Sequence, residues 1–120
     1  MRFRGFRDQR RDAQTDLRRS EAVMQAVSEA LSSVDAERAG LGRRVDELRA
    51  WVGGLIGPDD GSAGTRDSRI EAELVDAERQ LMQGLKRLRD LAAIQESYRD
   101  LQTAIGIERE RALQATRADG

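Results

Sequence analysis

The sequence predicts an all-α fold, an antiparallel two-helix hairpin of the coiled-coil type. Charged residues make up 36% of its 120 residues and aromatic residues only 3%, a composition typical of long helices and not of a compact aromatic core. Neither half alternates polar and apolar residues with a period of two, so no strand is expected. The length suits one domain, and we expect residues 1–120 to form it.

The first helix is predicted over about residues 7–54 because its apolar residues follow a sustained heptad pattern. Alternating steps of three and four residues from Leu17 meet an apolar side chain at nearly every position. This spacing is that of a helix that packs against another helix along one seam. The residues of this helix that we expect to line the hairpin seam are Leu31, Val34, Leu41, Val45 and Leu48.

A loop is predicted over about residues 55–66, where the single proline, Pro58, stands among glycines and small polar residues. Ser68 and Glu71 follow it with the spacing of a capping box, in which each side chain satisfies a backbone amide at the start of a helix. We therefore expect a second helix over about residues 67–117. Its seam is weaker than the first, and its expected members are Leu74, Leu81, Leu88 and Leu91.

The register of the hairpin follows from matching the two seams. In an antiparallel pair, residue numbers rise along one helix as they fall along the other, so an early seam residue of helix 1 faces a late seam residue of helix 2. The match places Leu31 opposite Leu91. It also places Arg38, a charged residue within the first seam, opposite Gly84. We expect the glycine to leave space for the guanidinium group to bend out of the seam.

The second helix carries more apolar residues than a two-stranded seam needs, in the manner of a bundle helix. The additional residues are Leu85, Ala92, Ala93 and Ile94. Covering apolar surface contributes about 25 cal/mol per Å². One hypothesis is that two hairpins pair through this flank into a four-helix homodimer, and the other is that the flank binds a different protein.

Composition excludes most catalytic chemistry. The chain contains no His and no Cys, which removes His-dependent acid–base catalysis, thiolate catalysis, disulfides and Cys/His metal sites. We expect no enzyme, no catalytic residue, no cofactor, no metal and no small-molecule substrate. A formal net charge of −1 argues against a dedicated nucleic-acid binder. No stretch approaches the roughly 20 apolar residues of a transmembrane helix, so a cytoplasmic location is expected, with leaderless secretion left open.

Trp51-Val52-Gly53 lies between the two predicted helices, and in this feature the sequence resembles the WxG family of small helical-hairpin substrates of type VII secretion. The resemblance implies an exported protein with a second hairpin as its partner. The chain departs from that family's C-terminal signal, which would require an acidic residue where Gln102 stands. Apart from the resemblance, Trp51 is interpreted as a helix-end residue whose ring covers the top of the coil and takes part in binding.

Two further features allow a role in transcription. Asp59-Asp60 at the predicted loop is similar to the acidic tips of the coiled-coil fingers of Gre and related transcription factors, which implies a contact with RNA polymerase. Residues 2–11 interleave Arg with Phe, a pattern that suits phosphates, bases or an anionic membrane. The alternative interpretations are a solvated turn and a frayed helix end.

The sequence as a whole favours a non-enzymatic helical-hairpin scaffold or adaptor that acts by protein–protein interaction, of the export-chaperone, secretion-stalk or accessory-protein type. Its expected partner is another protein, a second copy of the chain, or both. The alternatives are a transcription regulator and a secreted WxG-like substrate. An adaptor should bind along the side of helix 2, whereas a regulator should bind at one end of the hairpin. All basic residues except Lys86 are Arg, as is typical of a GC-rich bacterial genome.

Overall fold

The protein is an antiparallel helical hairpin, as the sequence predicts. The structure is a computed structural model that describes residues 8–56 and 68–118. Helix α1 spans Gln9–Ile56 and helix α2 spans Ser68–Ala118. Each helix end lies within two residues of its expected place. The Arg- and Phe-rich N-terminus and Asp59-Asp60 lie outside the described residues.

The first turn of α1 is fixed by Asp8, the residue just before the helix. Its carboxylate accepts a hydrogen bond from the backbone amide of Arg10 at 3.0 Å, and its carbonyl accepts one from the amide of Asp12 at 3.0 Å. An aspartate at this position satisfies amides that have no partner inside the helix. Helix α2 begins at Ser68, the first residue of the capping box expected from the sequence.

The contacts within the chain divide it into two compact units, each containing a segment of both helices. The terminal unit comprises Met1–Ser33 and Gln95–Gly120, and the central unit comprises Val34–Ile94.

The terminal unit pairs the first part of α1 with the last part of α2 in antiparallel orientation. The amide of Gln102 donates a hydrogen bond to the Ser28 hydroxyl at 3.4 Å, and the Arg109 guanidinium lies 3.8 Å from the Glu21 carboxylate. Of these two contacts, the residue that comes earlier in α1, Glu21, meets the residue that comes later in α2, Arg109. This is the order of an antiparallel pair. Its buried apolar residues are Ala13, Leu31 and Ala112, and its buried polar residues are Ser20 and Gln95.

The central unit contains the most deeply buried side chain among the described residues, that of Leu91, which is 1% exposed. Val45, Leu74 and Ala77 are buried with it. The other expected seam residues of this unit are half-buried: Val34, Leu41, Leu48, Leu81 and Leu88. All nine seam residues named from the sequence therefore face at least partly away from solvent.

The expected pairing of Arg38 with Gly84 is wrong. A Cβ atom built on the buried Gly84 would lie 2.9 Å from Val45 Cγ2 and 3.8 Å from Leu41 Cδ1. Two branched apolar side chains therefore occupy the space beside the glycine, and Arg38 lies exposed on α1. The physical reason is that apolar side chains fill this space at lower cost than a guanidinium group withdrawn from water.

An ion pair between Glu37 and Arg87 joins the two helices in the central unit through two hydrogen bonds. Arg87 donates from Nε to Glu37 Oε2 at 2.8 Å and from Nη2 to Glu37 Oε1 at 3.1 Å. These bonds, helped by the charge of the guanidinium, lower the pKa of Glu37 below its usual 4.5, and the same contact raises the pKa of Arg87. The two-pronged geometry makes this pair more specific than a single contact between flexible side chains.

The ion pair makes stability depend on pH in a predictable direction. Because the pKa of Glu37 is lowered on folding, its contribution is complete above the usual value of 4.5 and is lost as the pH falls through the lowered value. We expect the wild type to be more stable than Glu37→Gln at neutral pH and to lose this advantage in acid. Urea unfolding of both chains across this range, followed by circular dichroism, measures the difference.

Glu47→Gln is the matched control, because Glu47 is another exposed glutamate of α1 in the same unit. Its effect on stability should be smaller than that of Glu37→Gln at neutral pH. An equal effect of the two substitutions would mean that the bond to Arg87 does not contribute.

Candidate protein-interaction surfaces

The residues of the apolar flank expected on helix 2 differ in exposure and in direction around α2. Leu85, Ala92 and Ile94 are half-buried, and only Ala93 is exposed. Successive residues of an α-helix are rotated by about 100°, so Leu85 and Ile94, nine residues apart, point to opposite sides of α2. Leu85 and Ala92, seven residues apart, share one side of α2, and Ile94 alone lies opposite Leu85.

Trp51, the other residue expected to take part in binding, is 44% exposed near the end of α1. It lies at a groove of about 620 Å³ between the two helices of the central unit. We call this the Trp51 groove, and its lining residues are Arg44, Glu47, Leu48, Trp51, Glu73, Asp76, Ala77 and Gln80. The indole therefore has an apolar surface beside it, and most of the remaining lining is charged.

The acidic side of the Trp51 groove is held in place by bonds within α2. Asp76 accepts hydrogen bonds from the Arg79 guanidinium and from the Gln80 amide, the latter at 2.7 Å. The bond from Arg79, followed by that from Gln80, lowers the pKa of Asp76, so this carboxylate remains ionised through the neutral range. Glu73 is also paired on its own helix, 3.5 Å from Arg69. The groove therefore offers a large aromatic ring beside carboxylates of fixed position.

A second surface, which the sequence analysis missed, lies on the side of α2 away from its buried residues. Val75 is 64% exposed and Met82 is 72% exposed, the two highest values among the large apolar side chains that the structure describes. We call this surface the outer face of α2. Apart from Met82 itself, its residues lie three, four, seven or eleven positions from Met82; with Met82 they are Glu71, Val75, Glu78, Met82, Leu85, Lys86, Arg89 and Ala93.

The terminal unit has a groove of comparable size, about 660 Å³, between the start of α1 and the end of α2. Buried or half-buried Ala13, Ser20, Ile105 and Ala112 lie along it, together with charged residues of both signs. Among the described residues that line this groove, none is aromatic, in contrast to the Trp51 groove.

Residues 8–56 and 68–118 contain neither a metal-binding cluster nor a membrane-spanning stretch. No group of three or more acidic side chains within this part of the chain is arranged to hold a metal ion. Neither α1 nor α2, as described, has a stretch apolar enough to cross a lipid bilayer.

The geometry defines the class of the protein as an antiparallel helical hairpin with a Trp-lined groove and an exposed apolar stripe in its central unit. Comparison of the chain with protein-family models, with curated proteins and with solved structures finds no match in any of the three.

Proposed function

We propose that the protein is a non-enzymatic, cytoplasmic helical-hairpin adaptor that binds another protein through the Trp51 groove. The observation that carries the proposal is the exposure of the Trp51 indole beside half-buried Leu48 and buried Ala77. Tryptophan is enriched among the residues that dominate protein–protein binding, because its ring buries a large area with few rotatable bonds. A partner that covers the ring would remove this apolar area from water.

The charges of the groove favour a basic partner segment. Of the acidic residues in the lining, Glu73 is paired with Arg69 and Asp76 with Arg79, whereas Glu47 forms no ion pair within the part of the chain that the structure describes. A partner Arg or Lys could form a charge-assisted bond with Glu47 while a neighbouring apolar side chain packs on the indole. An Arg could also stack on the face of the ring. We therefore propose a protein segment that combines a basic residue with an apolar one.

Replacing Trp51 by Ala is expected to weaken binding of the partner at least about tenfold, the loss typical of a central aromatic contact. Affinity purification with mass spectrometry identifies the partner of the wild type, and titration of that partner measures the change. Val23→Ala is the matched control, because Val23 is an exposed apolar residue of α1 in the terminal unit. It should bind as the wild type does, and circular dichroism should show both variants to be helical.

The other hypotheses give different results in the same assay. Partner binding that survives Trp51→Ala but is lost after neutralisation of Asp59 and Asp60 would replace the adaptor by the transcription regulator. Export of the chain into the medium in complex with a second hairpin protein would favour the WxG-like substrate. If Trp51→Ala binds the partner as tightly as the wild type does, the Trp51 groove is not the binding site, whichever of the two alternatives holds.

A further inference from the structure

We propose that the outer face of α2 binds a second copy of this chain, with the two α2 helices antiparallel and Met82 on the two-fold axis. This surface shares no residue with the lining of the Trp51 groove. The proposal therefore stands independently of the adaptor function. A second copy of the chain is the partner that fits this surface, because the order of the charges along the face is self-complementary.

The apolar part of the outer face supplies the centre of the contact. Met82 and Val75 are mostly exposed in the single chain and lie seven residues apart, two turns along the same side of the helix. Removing such side chains from water is favourable in proportion to the apolar area covered. Half-buried Leu85 and exposed Ala93 extend this strip toward the end of the unit.

The charges on either side of Met82 are opposite in sign. Glu71 and Glu78 precede it, whereas Lys86 and Arg89 follow it. In an antiparallel pair of helices related by a two-fold axis, residues at equal distances before and after the axis meet. Glu78 lies four residues before Met82 and Lys86 lies four residues after it, so each Glu78 faces the Lys86 of the other copy. The contact occurs twice because of the symmetry.

The remaining positions fit the same arrangement. Val75 and Arg89 each lie seven residues from Met82, so the methylene stem of Arg89 would cover Val75 of the other copy. Arg79 would lie near Leu85, and its charge is already paired with Asp76 of its own helix. A parallel pairing would instead set Glu78 against Glu78 and Lys86 against Lys86. Like charges placed opposite each other oppose binding, so the antiparallel arrangement is favoured.

Glu78 and Lys86 are available for this contact. Both are exposed, and within the two described ranges neither forms an ion pair with another side chain. The face from Glu71 to Ala93 extends about 33 Å at 1.5 Å per residue. A single pair of helices over this length makes a small interface, and we expect a dimer with a dissociation constant in the micromolar range.

A single cysteine at the axis tests the symmetry, because the chain has no cysteine of its own. Met82→Cys should form a disulfide-linked dimer under mild oxidation at micromolar concentration, since only a residue on the axis meets its own copy. Val75→Cys is the control, because Val75 is comparably exposed but should face Arg89 of the other copy. A Met82→Cys chain that stays monomeric, or a Val75→Cys chain that crosslinks as fast, would overturn the proposal.

Charge reversal tests the pairing of Glu78 with Lys86 without a covalent bond. Glu78→Lys and Lys86→Glu should each raise the dimer dissociation constant at least tenfold, because each chain then sets like charges opposite each other. An equimolar mixture of the two variants should dimerise again, since each variant supplies the charge that the other needs. Light scattering measures the mass of each single variant and of the mixture, and circular dichroism checks that all samples are helical.

A mixture that remains monomeric, or single variants that dimerise as the wild type does, would contradict the proposed contact. Trp51→Ala should dimerise normally, so failure of the dimer and failure of the adaptor function give different results.

Lys86 provides a further check, because it is the only lysine of the chain. A zero-length amine-to-carboxyl reagent should join Lys86 to Glu78 between chains, since within one helix the two lie about 12 Å apart along the axis.

Discussion

Replacement of Leu91 by Ala is expected to lower the free energy of unfolding by about 3 kcal/mol. Leu91 is 1% exposed, so the substitution removes apolar contacts and leaves a space that the surrounding helices can fill only in part. Native proteins of this size are stabilised by only about 5–15 kcal/mol, and the loss would be a large fraction of that total. Urea unfolding followed by circular dichroism measures it.

Leu101→Ala is the matched control for this measurement. Leu101 is a leucine of the same helix, but it is 52% exposed. Its truncation should change the stability by less than about 1 kcal/mol, as is usual for surface positions. A loss as large as that of Leu91→Ala would show that another surface covers Leu101 in solution.

Replacement of Gly84 by Ala is expected to destabilise the hairpin by about 1–3 kcal/mol, although Ala favours a helix over Gly by about 1 kcal/mol. The added methyl group would lie 2.9 Å from Val45 Cγ2, closer than two carbon atoms can approach. Val45 is buried, and a β-branched side chain has little freedom to rotate away. The helices must therefore move apart at this level. Thermal and urea unfolding report the change.

Gly42→Ala is the control for Gly84→Ala, because a Cβ atom at Gly42 would meet nothing within 4 Å. This variant should gain up to about 1 kcal/mol from helix propensity alone. In a Val45→Ala background, Gly84→Ala should lose its penalty, because the clashing methyl group is gone. If Gly84→Ala proves as stable as Gly42→Ala, the two helices are farther apart at this level than the structure indicates.

The helices themselves could be predicted from the sequence because their signals are local. The heptad spacing of α1, Pro58 with its neighbouring glycines and the capping residues at Ser68 each depend on a few adjacent residues. The register could not be predicted in the same way. A heptad pattern repeats, so a seam shifted by one turn still places apolar residues opposite each other. In the observed alignment Gly84 lies against Val45, and Arg38 is exposed.

The surfaces were predicted less well than the core. Trp51, singled out from the sequence, lines a groove in the structure, and its part in binding stays a prediction. Val75 and Met82 were missed because each directly follows a seam leucine, Leu74 or Leu81. The seam count considers every third or fourth residue and leaves out the residues between them. The same rotation of about 100° per residue that defines the seam also gives the residues opposite it. Val75 and Met82 could therefore have been found by continuing the count around the helix.

The close approach at Gly84 restricts the amino-acid changes that the chain can accept during evolution. Gly42, Gly53 and Gly54 have open space where a side chain would stand, so these three positions should tolerate most residues that suit a helix. Position 84 should accept a larger residue only when position 45 becomes smaller. In a set of homologous sequences the two positions would therefore co-vary, and this covariation would record the helix contact in sequence data alone.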